Sequence, residues 1–347
     1  MRMMKKAFLC LVASTSILTL SASPSLAGTS AVIADQAPTG GIFSATSVWR
    51  TDVSKASLNP DSPALVNNVV EQVAANYGTA AFNVNQYGTS IYTVDSTQRR
   101  VDVVWNNCQR KPYTPSGLLG EGGQFSQVPI PSNAVPAAGT DGQLTIYSPE
   151  TDQLWEFWKA KRVKGTWQAC WGGRIDGVST SPGYFDGYWG AAASGLAVSG
   201  GSVLIGDAQA GVIDHALSLQ LVDVQESSTF SWPAQRSDGT DTAADAIPEG
   251  LRFRLDPAVN VDALKLTPIA KAIAKAAQKY GFIVTDRAGA VAVVAESPSA
   301  VKADTGVNPW TGLMQGKPSY AIMKNFPWDR LQALPVDYGA PAGHVRP

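Results

Sequence analysis

The sequence predicts a mainly β fold, a β-sandwich or jelly-roll-like core with two peripheral helices, and three observations predict it. Short β-prone runs recur between turn residues along most of the chain, whereas only two stretches repeat apolar residues at the helical period. The third is composition: 32 glycines and 22 prolines accompany only 16% charged residues, against roughly 25% in ordinary globular chains. Such a chain is a poor helical bundle, coiled coil or charge-rich disordered segment. Its formal net charge of -1 offers no basic footprint, so no nucleic-acid partner is expected.

The elements follow in chain order. Residues 1–27 read as a secretory signal peptide. Arg2, Lys5 and Lys6 precede an apolar stretch from Ala7 to Leu20, and Ser25-Leu26-Ala27 supplies small residues for a cleavage site. The stretch is short for a membrane span, and no later segment reads as one. Removing it leaves 24 basic against 28 acidic residues, a net of -4, in a secreted chain, extracellular or periplasmic. Cys10 leaves with the peptide, so Cys108 and Cys170 are expected to form a disulfide. A two-cysteine metal site would need ligands at suitable spacing, and neither His215 nor His344 provides one. No metal and no cofactor are expected.

Residues 28–347 read as a single β-rich domain with an N-terminal arm and helix and an irregular C-terminal tail. Gly41 to Trp49 is the arm. Asn59 to Pro63 opens a helix running to about Tyr77, with Leu65, Val66, Val69, Val70 and Val73 on one face and Gly78 as its stop. Ser90 to Val94 and Val101 to Trp105 are strands, and the Pro- and Gly-rich stretch 109–138 is a surface loop. Gln143 to Tyr147 and Gln153 to Trp158 form a hairpin, Gly165 to Arg174 another strand, and residues 177–202 a Gly-, Ser- and Tyr-rich loop. Val212 to Val222 and Leu251 to Leu255 alternate as strands. Thr267 caps the second helix, Pro268 begins it, and Gly281 ends it. Phe282 to Val284 and Val291 to Val294 read as a hairpin. Residues 298–347 are irregular, pinned by Trp310, Phe326 and Trp328.

Nucleotide-binding glycine loops, the G-x-S-x-G elbow and H-E-x-x-H are missing from the sequence, which leaves carboxylates, one histidine, tyrosines and arginines as its chemistry. In Trp155-Glu156-Phe157-Trp158 a carboxylate sits among aromatics, which raises an acid catalyst's pKa and offers faces for sugar rings; an ordinary half-buried strand explains the same pattern. Asp141, at the mouth of that hairpin, is its candidate partner or a turn residue. Along Ile213 to Gln220, His215 shares a face with Ile213, Leu217 and Leu219, while Asp214 points the other way. His215 is thus either a general base or a buried core histidine, and Asp214 a second candidate carboxylate. Trp232, Arg236 and Asp238 follow, and then Arg252 and Arg254, which share one face of their strand and suit either an acidic or hydroxylated ligand or a solvated strand face. Tyr188 and Trp189, between glycines, add aromatics of the kind that line binding surfaces.

Together, Gly139-Thr140-Asp141-Gly142, Trp155-Glu156-Phe157-Trp158, Ile213-Asp214-His215-Ala216-Leu217, Trp232-Pro233-Ala234, Ile247-Pro248-Glu249-Gly250 and Tyr280-Gly281 resemble a group of secreted bacterial proteins, abundant among actinobacteria. The resemblance runs from about Phe43 to Leu331. It implies an exported single domain and carries over no catalytic residues.

The functional expectation is a secreted carbohydrate-active enzyme, a glycoside hydrolase or polysaccharide lyase acting on a polysaccharide or oligosaccharide. Trp155, Trp158, Tyr188, Trp189 and Trp232 would line its cleft. Hydrolysis would use Glu156 with Asp141 or Asp214; elimination would use His215 or Tyr188, with Arg236 or Arg252 neutralising a substrate carboxylate. The alternative is a non-catalytic glycan-binding or cell-envelope protein using the same aromatics. The oligomeric state is not legible.

Overall fold

In this computed structural model residues 41–344 are described; the expected signal peptide and Cys10 lie outside them. Where the sequence predicts an extended arm, the chain bends and closes in a short 3-10 turn over Val48–Arg50. It does so because Ile42, Phe43, Val48 and Trp49 all turn inward and are buried. The first helix, α1 (Ser62–Ala75), buries Leu65, Val66, Val69 and Val73 as its period requires.

The fold is mainly β, with thirteen strands in three mixed sheets and six helices among the described residues. The strands are β1 (Ala81–Asn83), β2 (Thr89–Thr93), β3 (Val104–Trp105), β4 (Gln143–Ser148), β5 (Gln153–Trp158), β6 (Lys161–Val163), β7 (Thr166–Ala169), β8 (Trp171–Asp176), β9 (Leu217–Leu221), β10 (Arg252–Leu255), β11 (Phe282–Arg287), β12 (Ala292–Val294) and β13 (Leu331–Ala333). The large sheet runs β1-β12-β9-β11-β10-β13, a four-stranded sheet runs β2-β4-β5-β8, and the smallest runs β3-β7-β6. The expected hairpin over β4 and β5 forms, with Thr145 opposite Glu156. The strand predicted over 165–174 is broken at Cys170, and the one over 212–222 narrows to β9.

One expected hairpin does not form. β11 and β12 are neighbours in sequence, yet β9 lies between them, parallel to β11 and antiparallel to β12. Every residue of β9 is buried, and such a strand takes the centre of a sheet. The long 109–138 stretch has no named strand, as expected, but it is not all surface. Leu118, Phe125, Val128 and Ile130 are buried against the outer face of the four-stranded sheet.

Three apolar layers result. On one side of the large sheet, α1 and α4 (Pro268–Lys279) pack with Trp310, Phe326 and Trp328 over Phe253, Phe282 and Val284. On its other side, Ile283 meets Ile91, Leu154 and Ile175 of the four-stranded sheet, with Trp49 and Leu204 filling the seam. Beyond that sheet, Tyr92, Leu144, Ile146, Trp155 and Phe157 form the third layer. Thr267 caps α4, accepting from the Ala270 N–H at 3.2 Å, a bond whose loss costs about 1 kcal/mol. Two short helices, α2 (Val198–Gly201) and α3 (Ile205–Ala210), form within and after the stretch read as a loop, and α5 (Ser299–Thr305) and α6 (Pro309–Leu313) structure the tail.

Cys108 and Cys170 are joined, with Cα atoms 5.5 Å apart and 62 residues of separation. The bond ties the start of the Pro- and Gly-rich stretch to the link between β7 and β8. No helix among the described residues is long and apolar enough to cross a membrane.

Candidate functional site

Where the two larger sheets diverge they leave an open cleft of about 970 Å³. Its floor is the large sheet's inner face, through Asn83, Gln220, Asp286 and Ala292, and the facing wall carries Asp141, Gln143, Trp158 and Trp171. Alanines 191–193 and Ala288-Gly289-Ala290 keep the entrance wide. Gln109, Lys111, Tyr113 and Pro115 form a lip anchored by the disulfide. Aromatic exposure is concentrated here: Tyr77, Tyr87, Tyr113 and Tyr188 are all exposed and all line the cleft. Tyr77 and Tyr87 also hold positive φ, 72° and 61°, an uncommon conformation for bulky residues that the surrounding fold must impose.

A backbone irregularity creates the chemical end of this cleft. β11 and β9 run in step through Val284 opposite Leu219, and then Asp286 rather than Thr285 stands opposite Gln220. The extra residue is a bulge, and it reverses the side to which the following residue points. Asp286 therefore leaves the face of Phe282 and Val284 and joins Gln220 at the cleft.

Asp238 and Glu249 come to the same place from the connection between β9 and β10. Gly250 makes this possible: its φ is +87°, and a Cβ there would lie 1.7 Å from the Ser231 carbonyl oxygen. The Ser231 N–H donates to the Glu249 carbonyl at 2.7 Å, and the Gly250 N–H to that of Val284 at 2.7 Å, locking the turn against β11. Carboxylate oxygens of Asp238, Glu249 and Asp286 all lie within 4.8 Å of one another.

Their environments differ. Asp238 is exposed, Asp286 half-buried and Glu249 wholly buried. Asp286 accepts from the N–H groups of Ala193 at 3.1 Å and Arg287 at 2.9 Å, yet burial outweighs these bonds and pushes its carboxyl up to about 7. Burial also holds Glu249 well above the carboxylate range, and the negative charges of Asp286 and Asp238 add to the effect. Neither Glu249 carboxylate oxygen receives a hydrogen bond. Arg236 and Arg287 are the nearby positive charges, and the Arg287 guanidinium donates to the Asp238 carbonyl at 3.4 Å. Arg236 is the more deeply set of the two. Its guanidinium donates to the carbonyls of Trp189 at 2.7 Å, Ala192 at 2.7 Å and Gly190 at 3.4 Å, and burial lowers its pKa against the pull of all three acids.

Among the residues singled out in the sequence, Asp141, Trp158, Tyr188, Arg236 and Asp238 line the cleft together. The Trp158 indole donates to Asp141 at 3.2 Å, fixing both on the wall opposite Asp286, and Asp141 is close enough to Asp286 to raise its pKa.

The remaining candidates lie elsewhere. Glu156 is buried at the start of α2, accepting from the N–H groups of Val198 at 2.9 Å and Ser199 at 2.8 Å and from the Ser199 hydroxyl at 2.6 Å. His215 is buried between the Asp207 carboxylate, 2.9 Å from Nε2, and the Ala216 carbonyl, 2.8 Å from Nδ1. Asp214 is half-buried beside the Tyr280 hydroxyl at 3.4 Å. Trp155 is fully buried under the Arg100 guanidinium, and Trp232 packs in the seam between the sheets. Trp189 lies behind the wall, stacked on Trp171 at 5.2 Å. Arg252 is buried, donating to the carbonyls of Val48, Thr51 and Tyr280, and burial lowers its pKa to about 10.

Comparison with protein-family models, curated proteins and solved structures gives no match for this chain.

Proposed function

We propose that this protein is a secreted enzyme that cleaves a polysaccharide in the cleft between its two larger sheets. One observation carries the reading: a single open cleft combines exposed aromatic faces with carboxylates on opposite walls. Its volume, about 970 Å³, stands at the upper end of the roughly 300–1,000 Å³ usual for ligand sites. Tyr77, Tyr87, Tyr113 and Tyr188 supply exposed rings with polar edges, which suit pyranose rings, and Trp158 stands half-buried among them. Asp141 on one wall and Asp238 and Asp286 on the other would flank a bound chain, the arrangement that acid–base cleavage of a glycosidic bond requires. The disulfide is consistent with export, since such bonds persist in oxidising compartments.

Elimination is the second reading. Of the groups that the sequence assigns to it, Tyr188 and Arg236 both line the cleft, where a phenol and a guanidinium could act on a uronate.

The test is incubation with neutral and uronic-acid polysaccharides, following reducing ends and absorbance near ~235 nm, where an unsaturated uronate absorbs through its conjugated C=C. Reducing ends alone mean hydrolysis, and both signals mean elimination. Retention on a polysaccharide gel without either signal would replace cleavage with binding. Absence of both cleavage and retention across the whole panel contradicts the proposal.

A further inference from the structure

We propose that Asp238, Glu249 and Asp286 form a binding site for a divalent cation, Ca2+ by its donor set, at the edge of the cleft. Three observations converge. First, the geometry: oxygens from three side chains within 4.8 Å of one another stand near the spacing of ligands around one ion, and small side-chain shifts bring them to the roughly 2.3–2.6 Å of Ca2+–oxygen bonds.

The second is Glu249. It is fully buried, and neither oxygen accepts a hydrogen bond. Buried polar groups are almost always satisfied, and a carboxylate stripped of water without a partner is among the costliest groups to bury. Its polar neighbour is the Asp238 carboxyl, an acceptor like itself, so a positive centre must lie between the two: a proton or a metal ion. Backbone donors do not serve, although Glu156 shows that this fold can supply them where a buried carboxylate is structural.

The third is charge. Three carboxylates face two guanidiniums, those of Arg236 and Arg287, and both already donate to backbone carbonyls. Ionised, the group keeps an uncompensated negative charge, which a divalent cation offsets. Ligand chemistry narrows its identity. The donors are all oxygen, with neither histidine nor thiolate, which selects a hard cation over Zn2+. Carboxylates on a loop, a turn and a bulge suit the adaptable coordination of Ca2+ better than the strict octahedron of Mg2+. The remaining positions face the cleft, since Asp238 and Asp286 line it. Water would fill them in the free protein. On the cleavage reading, two sugar hydroxyls or a uronate carboxylate would replace that water.

The test needs no substrate. Protein treated with EDTA and dialysed is titrated with Ca2+, Mg2+ and Mn2+ by calorimetry, with thermal unfolding followed in parallel. The expected result is one Ca2+ per chain, a higher unfolding midpoint with the ion, and at least tenfold weaker binding in both Glu249→Gln and Asp238→Asn. Asp238 is exposed, so its variant reads binding even if Glu249→Gln folds poorly. No binding of any of the three ions, or Ca2+ affinity unchanged in both variants, overturns the proposal and leaves a shared proton between the carboxyls. The two proposals fail separately: cleavage without ion binding sinks this one alone, and ion binding without cleavage or retention sinks the enzymatic reading alone.

Discussion

Two carboxylates of this protein, Glu156 and Glu249, are buried almost completely, and the difference between them separates scaffold from candidate site. Glu156 stands among aromatics on β5, the pattern that made it the leading acid in the sequence. Three donors from Val198 and Ser199 satisfy it, and it acts as an anchor between β5 and α2. Glu249, in a turn without aromatic company, has both oxygens unsatisfied and two further carboxylates beside it. Burial raises the pKa of both. What distinguishes them is whether the fold supplies donors, and the comparison teaches that an unsatisfied buried acid marks a site more sharply than a buried acid does.

Substitution sharpens this contrast most. Glu156→Ala strands two buried N–H groups and is expected to cost about 4 kcal/mol. Glu249→Gln in ion-free protein replaces a buried carboxyl that no donor satisfies with a neutral amide of the same shape, and is expected to leave stability unchanged or raised by about 1 kcal/mol. Urea unfolding of both variants checks the pair, and equal losses would break the distinction. Next in size is the disulfide. Replacing Cys108 and Cys170 with Ser is expected to cost roughly 3 kcal/mol through chain entropy, and to loosen the lip carrying Lys111 and Tyr113, read as faster amide exchange there.

A third buried acid tests the electrostatics away from the cleft. Burial raises the Glu296 carboxyl to about 7, although it accepts from the Ile205 N–H at 2.9 Å, and the neighbouring Asp207 adds to the rise. A folded-state pKa above the unfolded value means that the native state binds the extra proton. The associated stability is full below the ordinary glutamate range, and is lost as pH rises through about 7. Unfolding free energy measured in EDTA is therefore expected to be higher at ~pH 5 than at ~pH 8, by about 2 kcal/mol from this group, with Glu296→Gln flattening the slope. An unchanged slope in the variant would remove Glu296 as its source. The smallest effect belongs to the cleft mouth. Tyr188→Ala is expected to keep stability within about 0.5 kcal/mol, since the ring is half exposed, while weakening polysaccharide retention severalfold in an affinity gel.

Local chemistry was readable in the sequence. Thr267, Pro268 and Gly281 delimit α4 because capping and left-handed stops act over one turn of chain, and the two cysteines pair as expected. The β-prone runs on either side of Ser148 to Asp152 likewise identified the hairpin of β4 and β5. What escaped depends on partners distant in sequence. β9 separates β11 from β12, so adjacent runs that read as a hairpin became neighbours of a third strand.

The site divides the same way. Asp141, Trp158, Tyr188, Arg236 and Asp238 were legible as polar or aromatic residues in turns and strand ends. Asp286 was not, because strict alternation places it on the apolar face of Phe282 and Val284, and only the bulge at Thr285 turns it to the cleft. Glu249 lay within Ile247-Pro248-Glu249-Gly250, a segment quoted for the resemblance with no role for its carboxylate. Only Gly250's close approach to Ser231 shows where the carboxylate goes.

The most direct test of the central claim compares Asp286→Asn and Glu156→Gln on whichever polysaccharide the wild-type protein cleaves. Asp286→Asn is expected to lower the cleavage rate about 100-fold or more while the protein stays folded. Folded Glu156→Gln should retain its rate within a few-fold. A fully active Asp286→Asn protein, or loss of activity only in folded Glu156→Gln, would contradict that claim and return the chemistry to the aromatic strand.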